Sequence, residues 1–268
     1  MLSTANASMT EVKQPVPHTL EPEGSPNQVF DAAFIALVLA LLVAMTLGRS
    51  LDSAGAIVWD PAPWRFVHDA AKAMLMPLLL VRTYVATGGL GAKGLSARGV
   101  GFWVSWAMLL CWVGDLALTR EGSNAFLVGL SAFLLGHIGY IMVFKRMAGA
   151  RSIAPSKQGR RLPMLALLGA VVIGLEMLLW ERAGEMAPAV LVYSLVIGAM
   201  TYSAWALDPG VKGVKLLAWG AVIFMCSDIL IAMNKFYVPF AGAQQLVMIT
   251  YAVAQWLIAQ GIYTLMKR

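Results

Sequence analysis

Residues 162–181 read L-P-M-L-A-L-L-G-A-V-V-I-G-L-E-M-L-L-W-E. A run of this length with one charge before its last position spans about 30 Å of hydrocarbon as a helix. The same run contains a carboxylate, Glu176, where lipid makes an ionised group costly. Both features recur along the chain, and together they set the fold class and the search for a site.

Working outward, similar stretches are expected at residues 29–48, 65–87, 99–119, 124–146, 187–207, 213–233 and 244–266. The chain has 268 residues, 59% apolar and 13% charged, against about a quarter charged in soluble proteins. The expectation is an all-α, polytopic transmembrane bundle of about eight helices over residues 29–268. Helices are required because backbone groups in lipid must bond within their own segment, and the alternation of a barrel is absent. Pro77 should kink the second helix and free a carbonyl that a neighbouring helix must satisfy. Residues 1–28 are polar and rich in Pro and Gly, with no basic stretch leading into an apolar run. They are expected to form a disordered cytoplasmic tail, not a signal peptide.

Charge gives an orientation. Fourteen Lys and Arg fall on one side of the expected spans, among them Arg82 and the cluster from Lys145 to Arg161, and five on the other. The positive-inside rule then places both termini in the cytoplasm of a cell (inner) membrane protein. The net charge of +6 reports that asymmetry. It is not a nucleic-acid footprint, because the basic residues sit on short loops without interleaved aromatics. Cys111 and Cys226 lie inside spans, form no CxxC pair and read as core residues.

The ionisable residues inside the spans are Asp69, Lys72, Asp115, His137, Glu176 and Asp228, with Tyr140, Tyr193, Asn234, Tyr251 and Gln255 as uncharged partners. Most of them should share the outer half of the membrane, as one cavity opening outward or sideways would require. Phe126, Gly129, Phe133, His137, Tyr140 and Phe144 fall at three- and four-residue steps on one helix face, a packing seam or a substrate wall. A weak repeat links W-V-G-D-L-A-L to M-C-S-D-I-L-I. Each Asp is followed 22 (His137) or 23 (Tyr251) residues later by a polar group on the next helix. Units four helices apart would form a parallel duplication, with the two Asp facing each other across the axis.

The motifs G-D-L-A-L, G-H-I-G-Y, S-D-I-L-I-A-M-N-K-F and T-Y-A-V-A-Q-W-L-I resemble the YhhN family of membrane proteins, which includes the lysoplasmalogenases. The resemblance runs from the second helix to the C-terminus and leaves out the tail. It implies that Asp115 and Asp228 are catalytic and that Lys72, His137, Tyr140, Tyr193, Asn234, Tyr251 and Gln255 bind substrate. It also implies hydrolysis of the vinyl ether bond of a lysoplasmalogen to a fatty aldehyde and a glycerophospho-alcohol. The expected partners are a lysophospholipid and the bilayer, without nucleic acid.

That chemistry suits the residues. A vinyl ether hydrolyses when an acid protonates its β-carbon, leaving an oxocarbenium ion that water captures. Glycosidases meet the same demand with two carboxyl groups, one donating and one stabilising the cation or activating water. Two carboxyl groups in one low-dielectric site titrate apart, which supplies an acid at neutral pH. Lys72 could hold one Asp ionised or bind the lipid phosphate. No cofactor is expected: three His in the whole chain do not make a His-rich zinc site, and no G-x-S-x-G elbow is present. Two other classes use similar residues. A proton-coupled small-molecule or lipid transporter would need paired intramembrane charges, and a non-catalytic lipid-binding protein would keep a cavity without the Asp pair.

Overall fold

A computed structural model describes residues 26–47, 49–51, 57–59, 63–86, 99–120, 122–150 and 153–266. Most of the expected tail, up to residue 25, lies outside them. Each expected span corresponds to one helix: α1 (Pro26–Leu47), α2 (Pro63–Ala86), α3 (Val100–Ala117), α4 (Ser123–Ala150), α5 (Gln158–Ala183), α6 (Ala187–Trp205), α7 (Val214–Ala232) and α8 (Ala243–Met266). A small antiparallel hairpin, β1 (Arg49–Leu51) with β2 (Ile57–Trp59), joins α1 to α2. A 3-10 turn at Gly184–Met186 separates α5 from α6, and a π-turn at Met233–Tyr237 ends α7.

The count of apolar spans corrects the expectation of about eight. Among the described residues, six stretches are long and apolar enough to cross a membrane. One of them, Gln158–Trp205, runs through both α5 and α6 and is broken only by the turn at Gly184. α2 falls short because Arg65, Asp69, Lys72 and Arg82 all lie on it. It is a bundle helix that carries the polar load.

The length of α5 matches a bilayer. Arg160 stacks over Trp205 at 4.3 Å near its start, and Arg182 over Tyr237 at 4.6 Å near its end. The 22 residue steps from Arg160 to Arg182 rise about 33 Å, close to the hydrocarbon thickness, and cation–aromatic pairs suit the two interfaces. Between these ends Ile173 and Met177 are exposed, as a lipid-facing surface requires.

Lipid offers no hydrophobic drive for helices to associate, so close packing and polar contacts hold the bundle. The tightest pairs are the hairpins α3–α4 and α7–α8. In the second, a Cβ added at Gly220 would stand 2.8 Å from Ile258 and 3.0 Å from the Ala254 carbonyl oxygen, so only glycine lets these backbones approach. Gln245, near the start of α8, bonds the Met45 carbonyl near the end of α1. Gln260, near the end of α8, meets Arg82 beside Asp31 at the start of α1. The helices therefore alternate in direction, with the starts of α1 and α3 on one side and those of α2, α4 and α8 on the far side.

Two sequence expectations meet on α2. The helix runs unbroken through Pro77, whose missing N–H frees the carbonyl of Ala73. The indole Nε1 of Trp112 on α3 donates to that oxygen at 2.8 Å, so a neighbouring helix does satisfy it. Arg82, counted by charge among the basic residues outside the membrane core, lies within it. It is 1% exposed inside α2, with Nε 2.8 Å from Asp31 Oδ1 on α1. The basic excess on that side loses one residue and keeps its sign.

Candidate active site

Asp115 stands two residues before the end of α3, and Asp228 four before the end of α7. The residue ahead of each Asp is turned toward the following helix. A Cβ at Gly114 would lie 2.6 Å from the Phe133 ring on α4, so glycine is what admits that ring. Ser227 donates to the Val247 carbonyl on α8 at 3.1 Å. The G-D and S-D motifs thus solve one packing problem in two ways.

Both carboxyl groups are buried, and each is held from two other helices. Tyr251 on α8 donates to Asp115 Oδ2 at 2.7 Å, and Lys72 on α2 lies within electrostatic reach of Asp115. Tyr193 on α6 donates to Asp228 Oδ2, and His137 Nε2 on α4 stands 3.7 Å from the same oxygen, too far for a hydrogen bond. The pattern is reciprocal, because the polar group following each Asp motif reaches the Asp of the other motif. Lys72 and Tyr193, each on the helix just before its Asp helix, occupy matching roles.

Tyr140 and Gln255 form a separate pair. The Tyr140 hydroxyl donates to Gln255 Oε1, one turn further in from His137 on α4 and from Tyr251 on α8. Asn234 is further out, in the π-turn after α7, where its Oδ1 accepts the Phe240 N–H at 3.3 Å and shapes the loop into α8. Asp69, placed inside the membrane by sequence, is half-exposed and bonded to His68 Nδ1 at 2.9 Å. Glu176 accepts from Ser194 at 3.0 Å.

Phe224 is the member that sequence reasoning missed. Fully buried, its ring lies 4.8 Å from His137 and 5.4 Å from Tyr251. Phe133, 5.9 Å from Tyr251 and 6.5 Å from His137, packs against the same two side chains, one from each Asp assembly. The position of Phe224 four residues before Asp228 puts it on the same helix face, which was the available signal.

Two openings reach this layer. A polar mouth of about 750 Å³ on the far side is lined by Arg65, Asp69, Lys72, Arg120, Asn234 and Lys235, among others. A narrow crevice of about 50 Å³ between α4, α5, α6 and α7 is lined by apolar side chains and by Tyr193, Ser194 and Asp228. Leu118, Phe126 and Ile231 border both. A polar opening and an apolar one therefore adjoin at these three residues.

Fold and site define a polytopic helical membrane protein with two buried carboxyl groups, a polar mouth and an adjoining apolar crevice lined by one of them. The YhhN family model matches residues 67–262, and the chain belongs to the YhhN family. It is 32% identical to "Lysoplasmalogenase TMEM86B" of Sus scrofa over 193 residues, 72% of this chain and 74% of that protein. Its identity to "Lysoplasmalogenase TMEM86A" of Homo sapiens is 34% over 152 residues, 55% of this chain and 59% of the other. With "Lysoplasmalogenase" of Mycobacterium tuberculosis (strain CDC 1551 / Oshkosh) it is 32% over 165 residues, 60% of each chain. The chain thus spans about three-fifths of the length of the human and mycobacterial relatives. No solved structure matches it significantly.

Proposed function

We propose that the chain hydrolyses the vinyl ether bond of a lysoplasmalogen inside the membrane, using Asp228 as acid and Asp115 as base. One observation carries the division of roles: of the two buried carboxyl groups, Asp115 has a lysine within electrostatic reach, whereas Asp228 is flanked by Tyr193 and His137. A carboxylate beside a cation is stabilised as the anion, and one among neutral groups in apolar surroundings is stabilised as the acid.

Asp228 also lines the apolar crevice, where an alkenyl chain would lie. It gives its proton to the β-carbon, and the resulting oxocarbenium ion is stabilised by the Asp115 carboxylate. Water adds to the cation and passes a proton to Asp115, giving a hemiacetal. The hemiacetal collapses as Asp115 protonates the leaving glycerol oxygen and Asp228 takes up the hydroxyl proton. Aldehyde and glycerophospho-alcohol leave, and both carboxyl groups return to their starting states. The unlike partners of the two carboxyl groups, Tyr251 and Lys72 for Asp115 against Tyr193 and His137 for Asp228, support this division. The names of the relatives support the substrate.

The proposed setting is a cell membrane with both termini cytoplasmic. A cysteine placed in residues 153–157 should react with a membrane-impermeant thiol reagent from the cytoplasmic face alone; outer-face labelling would reverse the topology. The decisive assay incubates purified protein with a lysoplasmalogen and with its saturated ether analogue. Aldehyde should appear from the first only. Release from both, or from neither, would end the reading, and proton-coupled uptake into proteoliposomes without aldehyde would favour a transporter.

A further inference from the structure

The side of the bundle that is poor in basic residues spends them unevenly. Its five are Arg49, Arg65, Arg120, Arg182 and Lys235, and three of these, Arg65, Arg120 and Lys235, line the polar mouth. Each comes from a different element: the first turn of α2, the bend after α3, and the π-turn that ends α7. A π-turn re-aims side chains relative to a regular helix and is frequent at functional sites. Here it turns Lys235 toward the cavity, 5.3 Å over the Phe126 ring. Lys72 adds a fourth cation at the floor, against one wall carboxylate, Asp69, which His68 already engages. The starts of α4 and α8 also border the mouth, through Gly122, Ala243 and Gln244. Helix N-termini present unpaired N–H groups and the positive end of the dipole.

Membrane insertion favours few cations on this side, so their convergence on one cavity calls for a ligand. We propose that the mouth is a phosphate-binding vestibule, in which Arg65, Arg120 and Lys235 hold the headgroup phosphate of a single-chain lipid while its tail enters the crevice beyond Leu118 and Phe126. The inference rests on the lysophospholipid reading of the site and adds the residues that select the headgroup. Arginine suits the task because its planar fork pairs two phosphate oxygens at once. Together the two openings act as a ruler: anchoring the phosphate fixes how far along the lipid the ether bond lies, and so brings that bond to the Asp layer.

The test is a binding measurement that does not depend on turnover. Full-length protein in nanodiscs is titrated with a non-cleavable saturated-ether lysophosphoethanolamine and with the matching alkylglycerol, which lacks phosphate. Glycerophosphoethanolamine and inorganic phosphate are added as competitors without a tail. Arg65→Gln/Arg120→Gln should weaken the lysophospholipid by about tenfold or more, the size of lost charge-assisted contacts, and leave the alkylglycerol within about twofold. The lysophospholipid should also bind less tightly as salt rises. Arg182→Gln, on the same side but outside the mouth, should change neither ligand. Equal loss of both ligands, or undiminished phosphate preference in the double variant, overturns the proposal. So does competition by inorganic phosphate at the affinity of the lipid, which would make this a free-anion site. A protein that discriminates in this assay yet releases no aldehyde keeps the vestibule and loses the proposed hydrolysis. One that releases aldehyde without discriminating loses the vestibule alone.

Discussion

α2 carries two buried cations, Lys72 and Arg82, five residues to either side of Pro77, and they belong to unlike surroundings. Arg82 is closed in. Its guanidinium contacts both oxygens of Asp31 and the amide oxygen of Gln260, and Trp256 donates to Asp31 Oδ1 at 3.0 Å. Three helices, α1, α2 and α8, are tied by this node. Lys72 instead borders the polar mouth, with Asp69 and Asp115 in electrostatic reach. A charge in direct contact with its opposite is neutralised in place and holds helices together. A charge at the edge of a cavity keeps the freedom to meet a ligand. Burial alone therefore does not mark a functional charge in this bundle; access does.

The largest effect should come from the accessible cluster. Asp228→Asn and Asp115→Asn should each lower turnover by about 10²–10⁴-fold, the usual worth of a positioned acid or base, while the melting temperature in detergent stays near the parent's. The double variant should be little worse than the worse single one, because residues acting as a unit are non-additive. A fully active Asp115→Asn protein would break the comparison at its root.

The closed cluster should answer in stability. Arg82→Met leaves Asp31 without its cation; breaking a fully buried pair from one side costs about 3–5 kcal/mol, and with Asp31 30% exposed the loss should be smaller than that. Replacing both partners by apolar groups, as in Asp31→Leu/Arg82→Met, should recover most of that. Thermal unfolding reads the loss, and turnover per folded molecule should stay close to the parent's. Because α1 lies outside residues 67–262 matched by the family model, this node ties a helix beyond that match to the rest of the bundle.

Lys72→Met should fall between the two. Removing the cation that stabilises the Asp115 anion should cost turnover roughly 10- to 100-fold, the range for a hydrogen bond or contact to a charged group. Lys72→Arg should recover part of it. Near-parent activity in a folded Lys72→Met protein would mean that the lysine only reaches toward the surface.

The helices were legible because a membrane span leaves a composition signal that needs no partner. The two Asp, the His and the tyrosines were legible because lipid makes every polar residue conspicuous. Arg82 was harder to place for a related reason: near the end of a span an arginine ordinarily extends to the interface, and its partner Asp31 sits 51 residues away in another helix. Arg65, Arg120 and Lys235 read as loop charges until the fold gathered them at one mouth. Phe224 left one weak trace, its place four residues before Asp228, and one aromatic among aliphatic residues is otherwise unremarkable in a span.

The smallest effect tests whether the two clusters are mechanically separate, and it lies between them. Pro77 frees the Ala73 carbonyl, and Trp112 caps it at 2.8 Å. Trp112→Phe keeps a ring at this place and removes the donor, leaving a carbonyl without a partner in apolar surroundings. Polar contacts between membrane helices are worth about 0.6–2 kcal/mol, so the loss in stability should be about 1 kcal/mol. Pro77→Ala restores an N–H that can bond the same oxygen within α2, and in that background Trp112→Phe should cost little. The coupling, read by thermal unfolding across the four-membered cycle, is expected to be near the full single-variant loss. If Trp112→Phe also slowed turnover by tenfold, the Pro77 segment would be transmitting strain from one end of α2 to the other, and the two cations could not be treated as independent. If turnover holds while stability falls, Lys72 and Arg82 share a helix and nothing more.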